Sequence, residues 1–156
     1  QKAPNVTTSF QPDISSDYIE NMSLRIDYYY KIGSATSVEQ LKKIEKELID
    51  VFGPIPDKTK KLLLIASLKN RYKSTPVSQI DIQDGVLKIV VQPFSEEEQL
   101  VFLSRVGIYK HKTLESVRFK EVDGGLLGVF LNVSDYGNVF DLLFNFVHLF
   151  DPIDTA

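Results

Sequence analysis

The chain has 156 residues, 43% hydrophobic and 25% charged, with a formal net charge of -3. That is enough for one domain, or at most two small lobes, around a real core, and the charge gives no reason for whole-domain attraction to nucleic acid or an anionic membrane. The absence of cysteine excludes disulfides and thiolate metal sites and fits a reducing cytosol, and no apolar run reaches the ~18 residues of a membrane span.

Residues 1–14 have no helical period, and Gln1 at the start with Met22 as the only methionine is the pattern expected of a piece cut from a longer protein. This stretch is expected to be an extended linker, with Val6–Phe10 a possible short strand. Ser15 and Ser16 are N-cap types ahead of a helix over Ile19–Ile32, in which Ile19, Met22, Ile26 and Tyr29 or Tyr30 share one face and which Gly33 ends. Thr36-Ser37-Val38-Glu39 has the form of a capping box. The helix it starts runs to about Val51. Leu41, Ile44, Leu48, Val51 and Phe52 fall on one side of it, with Lys43, Glu47 and Asp50 on the other. Gly53 and Pro54 stop it, and Pro56 opens a third helix to about Lys73.

From Pro76 the period changes to two. Val77–Ile82 and Val86–Val91 flank Asp84-Gly85, a hairpin signal. Ser95 followed by three glutamates starts a helix to about Val106. Val117–Val122 and Leu126–Val133 flank Asp123-Gly124-Gly125, and Ser134 or Asp135 caps a last helix to Phe150. The fold class expected is α+β: a helical lobe over 15–73, then an antiparallel sheet with packed helices over 76–151 in the order hairpin-helix, hairpin-helix.

Catalytic chemistry finds no foothold in this pattern. His111 and His148 stand far apart without acids at metal-ligand spacing, and each reads as a capping or surface histidine. The glycine-rich string from Asp123 to Gly128 lacks the Lys-Ser/Thr of a phosphate loop. Lysines cluster at Lys42, Lys43 and Lys46 and at Lys58, Lys60 and Lys61, but interleaved acids make the first cluster a solvated, ion-paired helix face. Tyr28-Tyr29-Tyr30 reads as packing more readily than as a base-stacking platform. Two features remain. Glu47 and Asp50, at i and i+3, are either outward carboxylates available to a partner or a solvated face with Glu47 paired to Lys43. The last helix, apolar nearly all round, is either buried or exposes a patch to a partner.

Asp17-Tyr18-Ile19, Leu24-Arg25, Tyr29, Ile32, Glu47-Leu48-Ile49-Asp50, Phe52-Gly53-Pro54 and Pro56 stand at ungapped spacing. Together they resemble the C-terminal domain of bacterial transcription-repair coupling factors, most strongly over residues 13–73. The departures are Glu20 for proline, Tyr28 for leucine, Gly33 for alanine and Val51 for arginine. The resemblance implies a non-catalytic regulatory domain, without cofactor or metal, in a cytoplasmic parent that is an ATP-dependent DNA translocase engaging RNA polymerase, UvrA and DNA. It implies docking on the UvrA-recruiting module of the same chain, through Glu47, Asp50 and the neighbouring Lys43, so that the translocase is restrained until RNA polymerase is engaged. The alternative is a structural or weakly nucleic-acid-binding domain without that role.

Overall fold

The computed structural model describes residues 2–153. They divide into two compact units, one of residues 10–71 and one uniting residues 2–9 with residues 72–153.

The helical unit contains α1 (Met22–Ser34), α2 (Val38–Phe52) and α3 (Asp57–Tyr72). Its core is built from Ile14, Ile19, Tyr28, Ile32, Leu41, Leu48, Ile55 and Leu63. The first helix starts later than its apolar spacing suggests. The amides of Tyr18 and Ile19 bond to the Ser15 carbonyl in a separate turn, and Asn21 is the cap, accepting from the Leu24 amide at 3.0 Å. Arg25 holds the entry by donating to the carbonyls of Ile19 and Glu20. Gly33 does not end α1; the helix continues to Ser34, whose hydroxyl bonds back to the Tyr30 carbonyl.

Before α2 the cap is one residue later than expected. Ser37 accepts from the Gln40 amide, and the Gln40 side chain accepts from the Thr36 amide. Gln40 thus takes the part assigned to Glu39. On α2, Leu41 and Leu48 are buried and Ile44 and Phe52 pack partly against the core. Val51, expected on that side, is 63% exposed, because it lies about 60° round the helix axis from Leu48 at 100° per residue. The helix ends with the Gly53 amide on the Ile49 carbonyl. Gly53 has φ 88° and ψ -164°, a region outside the left-handed helical well that only glycine occupies readily. The Tyr18 hydroxyl donates to the Gly53 carbonyl at 2.9 Å.

The other unit is a five-stranded sheet: β1 (Asn5–Thr8), β2 (Val77–Gln83), β3 (Val86–Val91), β4 (Leu114–Val122) and β5 (Leu126–Val133), in the order β1-β2-β3-β5-β4. The sheet is mixed and not wholly antiparallel as expected. Part of the stretch anticipated as linker is strand β1, which pairs parallel to β2; β2-β3, β3-β5 and β5-β4 are antiparallel. Gly85 at φ 83° and Gly124 at φ 78° make the two hairpin turns. Helix α4 (Glu96–Ile108) opens with a full capping box between Ser95 and Glu98 and continues through Gly107, beyond its expected end.

The last apolar segment is not one helix. It is α5 (Val139–Phe146) between two 3-10 turns, Tyr136–Asn138 and Val147–Phe150. Its large side chains are interior: Leu142, Leu143 and Phe146 have no exposed surface. The Phe102 ring of α4 stacks on Phe150 at 4.5 Å and meets Phe146 edge-on, and the buried Tyr72 hydroxyl donates to the Leu143 carbonyl at 2.6 Å. Of the two readings of this segment, burial is the one realised.

Candidate docking surface

The α1–α2 pair sets the geometry of the two acids. A buried stripe through Leu41 and Leu48 fixes the roll of α2, and a stripe through Tyr28 and Ile32 fixes that of α1. This places Tyr28 and Lys31 beside Glu47. The Tyr28 hydroxyl donates to Glu47 Oε1 at 2.6 Å, and Lys31 Nζ lies 3.5 Å from the same oxygen. Lys31 also sits over the Tyr28 ring, 4.8 Å from its centroid, a favourable place for a cation. The Tyr28 ring meets Phe52 edge-on at 5.8 Å, so the hydroxyl is carried on a side chain locked by packing.

Glu47 is therefore not simply outward. Its side chain is 47% exposed, one oxygen held from behind and the rest open to solvent. The bond from Tyr28 lowers its pKa below the ordinary carboxylate value; partial burial opposes this and the Lys31 charge reinforces it. Burial raises the Tyr28 phenol, helped by the bond to Glu47 and the negative charge there, to about 12. Asp50 and Lys43 are exposed, and neither has an ion pair or side-chain hydrogen bond among the described residues. The pairing of Glu47 with Lys43 weighed from the sequence is replaced by pairing with Lys31. The surface thus offers one acid fixed in place and one acid free, about one turn apart, flanked by the exposed Val51.

Sequence reasoning missed Tyr28 and Lys31 as holders of Glu47. The signal was their i, i+3 spacing on α1, but meeting Glu47 depends on the register between two helices, which a periodic pattern does not specify. The tyrosine run is no stacking platform: Tyr28 is occupied as described, the Tyr29 hydroxyl accepts from the Ile14 amide at 2.7 Å, and only Tyr30 stands well out from the surface. Among the described residues no group of three His, Cys, Asp or Glu side chains is placed to hold a metal. His111 and His148 face single aspartates, Asp141 and Asp151. No helix is long and apolar enough to cross a membrane.

The family model described as "TRCF domain" matches residues 9–100, which include the whole α1–α2 surface. The transcription-repair-coupling factor of Haemophilus influenzae is 37% identical over 68 residues, 44% of this chain and 6% of that protein. That of Escherichia coli K12 is 34% identical over 73 residues, 47% of this chain and again 6% of that protein. The chain therefore spans a small fraction of the curated relatives it matches. The crystal structure of the C-terminal domain of a transcription-repair coupling factor superposes with a TM-score of 0.72, covering 96% of this chain and 94% of that one at 20% identity, a likeness of fold. With the family model matching more than half of its length, the chain belongs to the TRCF domain family.

Proposed function

We propose that this chain is the C-terminal regulatory domain of a cytoplasmic transcription-repair coupling factor. In this reading it performs no chemistry of its own. It docks through the Glu47–Asp50 face of α2 on the UvrA-recruiting module of the same protein and restrains the ATP-driven DNA translocase until RNA polymerase is engaged. The observation that carries the reading is the state of the two acids. Glu47 is held in one orientation by Tyr28 and Lys31, so little side-chain freedom remains to be lost on association. Asp50 is exposed and unpaired among the described residues, so its charge is available to a basic partner.

The test is made in the full-length parent. Charge reversal at Asp50 (Asp50→Lys), Glu47→Ala, and the double variant Glu47→Ala/Asp50→Ala are compared with deletion of the domain. Losing one partner of a desolvated interfacial charge pair typically costs ~2–5 kcal/mol. By linkage, loosening the closed state raises both UvrA affinity and basal ATPase rate. Asp50→Lys and the double variant are expected to approach the deletion on both readouts. A deletion that activates while these variants do not would place docking on another face. A deletion that leaves both readouts unchanged would remove the autoinhibitory role altogether.

A further inference from the structure

The last strand of the sheet order, β4, has an open edge among the described residues, and its side chains divide by face. From Ser116 to Val122 its pairing with β5 is regular, so a free edge of roughly 20 Å is presented at ~3.4 Å per residue. Val117 and Phe119 stand opposite the buried Leu131 and Val129 and therefore point to the helix side of the sheet. Phe119 is nonetheless 45% exposed. It lines an open groove of about 520 Å³ whose other walls include Val117 and Leu114 from β4 and Leu103, Val106 and Gly107 from α4. The added Cβ of a residue at Gly107 would meet nothing within 4 Å, so this wall is clear. Ile108, next to Gly107 in α4, is 81% exposed. On the opposite face of the strand stand Arg118 and Lys120, both exposed.

A bare strand edge is a template for another strand, and the residues here state which one. Side chains directly opposite across a strand pair share a face and interact. An added strand must therefore put apolar residues opposite Val117 and Phe119, into the groove, and acids opposite Arg118 and Lys120. A second copy of this chain does not meet that demand. In a two-fold antiparallel pairing centred on Arg118 or on Lys120 that residue faces itself, and centred on Phe119, Arg118 faces Lys120. Centred on Val117, Arg118 faces Ser116, and centred on Glu121, Lys120 faces Val122; none of these registers sets an acid opposite Arg118 or Lys120. We propose that the β4 edge with its α4 groove is a docking site for an extended segment of a partner protein in which apolar and acidic residues alternate. This surface is separate from the Glu47–Asp50 face and does not depend on the function assigned to it.

The probe is a blocked peptide, acetyl-Lys-Glu-Val-Glu-Val-amide, whose residues run antiparallel from Glu121 to Val117. Its control is the charge-swapped acetyl-Glu-Lys-Val-Lys-Val-amide. Both are titrated to millimolar concentration into the isotope-labelled 156-residue chain, following backbone amide shifts. The expected result is a set of shifts confined to Ser116–Val122 and the groove-lining part of α4, with the control at least about tenfold weaker, since each cross-strand charge pair changes sign. Arg118→Glu/Lys120→Glu should exchange the order of the two peptides. The comparison on the unaltered protein stands even if that variant does not fold. Three results would each overturn the proposal: no shift with the acidic peptide, equal binding of both peptides, or β4 shifts that depend on protein concentration alone, which would mark a self-association edge.

Discussion

Tyr28 donates a hydrogen bond to Glu47 Oε1 across 2.6 Å, and the two groups shift in opposite directions, Tyr28 upward chiefly through burial and further through this bond, Glu47 downward chiefly through the bond. The Tyr28 phenol is raised to about 12 from its ordinary value of 10.0. A raised acid keeps its proton in the folded state after the unfolded chain has lost it. Its contribution is therefore complete below pH ~10 and lost as pH rises from there through ~12. Glu47 is lowered from 4.5, so its contribution is present above that value and lost as pH falls through the depressed one. Tyr28→Phe should lower stability on the neutral plateau by about 1 kcal/mol, the hydrogen-bond value discounted for the half-exposed acid. It should also flatten both the acid and the alkaline limb. Urea midpoints measured from acid to alkaline pH check this; limbs as steep as in the parent would show that the bond does not govern them.

The stop at Phe52-Gly53-Pro54 rests on backbone conformation more than on space. A Cβ at Gly53 would have no neighbour within 4 Å, but φ 88° with ψ -164° is a region other residues occupy only with strain. Gly53→Ala is expected to cost ~1–3 kcal/mol. Phe52, only partly buried but in ring contact with Tyr18 and Tyr28, should cost toward the lower end of ~3–5 kcal/mol on change to alanine. Denaturant melts of the two variants that overlay the parent would contradict this account of the helix end.

The hairpins and the start of α4 were legible because their chemistry is local. Asp84-Gly85 and Ser95/Glu98 do in the structure what their residue types require within four positions. The stop between α2 and α3 at Gly53-Pro54 was legible for the same reason. Strand β1 was legible only as a possible short strand, and its place in the sheet was not, because nothing in Val6-Thr7-Thr8 names a partner more than seventy positions away; only the sheet supplies Ile80, Asp81 and Ile82. The later start of α1 escaped because Ile19 is apolar and buried, so the period of three and four ran on backward through a turn. At the candidate site, the positions of Glu47 and Asp50 on one exposed helix face were readable. Their difference, one held and one free, was set by Tyr28 and Lys31 on another helix.

Gly128, on β5, is required by crowding. A Cβ there would lie 3.0 Å from the Lys120 carbonyl oxygen, 3.0 Å from Val122 Cγ1 and 3.1 Å from Phe130 Cε2. Two of these neighbours are side chains with room to turn, but the carbonyl belongs to the β4 ladder. Gly128→Ala should cost ~1–3 kcal/mol as an overpacking change and should shift the amides of β4 opposite it. A thermal melt and an amide spectrum unchanged from the parent would mean that β4 yields without cost.

The turn before β4 hangs on His111. The Thr113 amide donates to His111 Nδ1 at 3.1 Å, so in this geometry Nδ1 is an acceptor and the ring proton lies on Nε2, which faces Asp141 Oδ2 at 2.8 Å. Thr113 is 1% exposed, and its hydroxyl oxygen has no hydrogen-bond partner among the described residues. Two unequal results follow. His111→Ala orphans a buried amide and should cost ~1–3 kcal/mol, whereas Asp141→Ala, removing a side chain 71% exposed, should cost only ~0–1 kcal/mol. Thr113→Val keeps the amide and the shape and removes only an unpartnered buried hydroxyl, so it should be neutral or stabilising by up to ~1 kcal/mol. Urea unfolding of the three variants side by side decides the matter. If Thr113→Val destabilises as much as His111→Ala, the hydroxyl has a partner that this geometry does not reveal; if Asp141→Ala does so, the turn is held through the carboxylate and not through the amide.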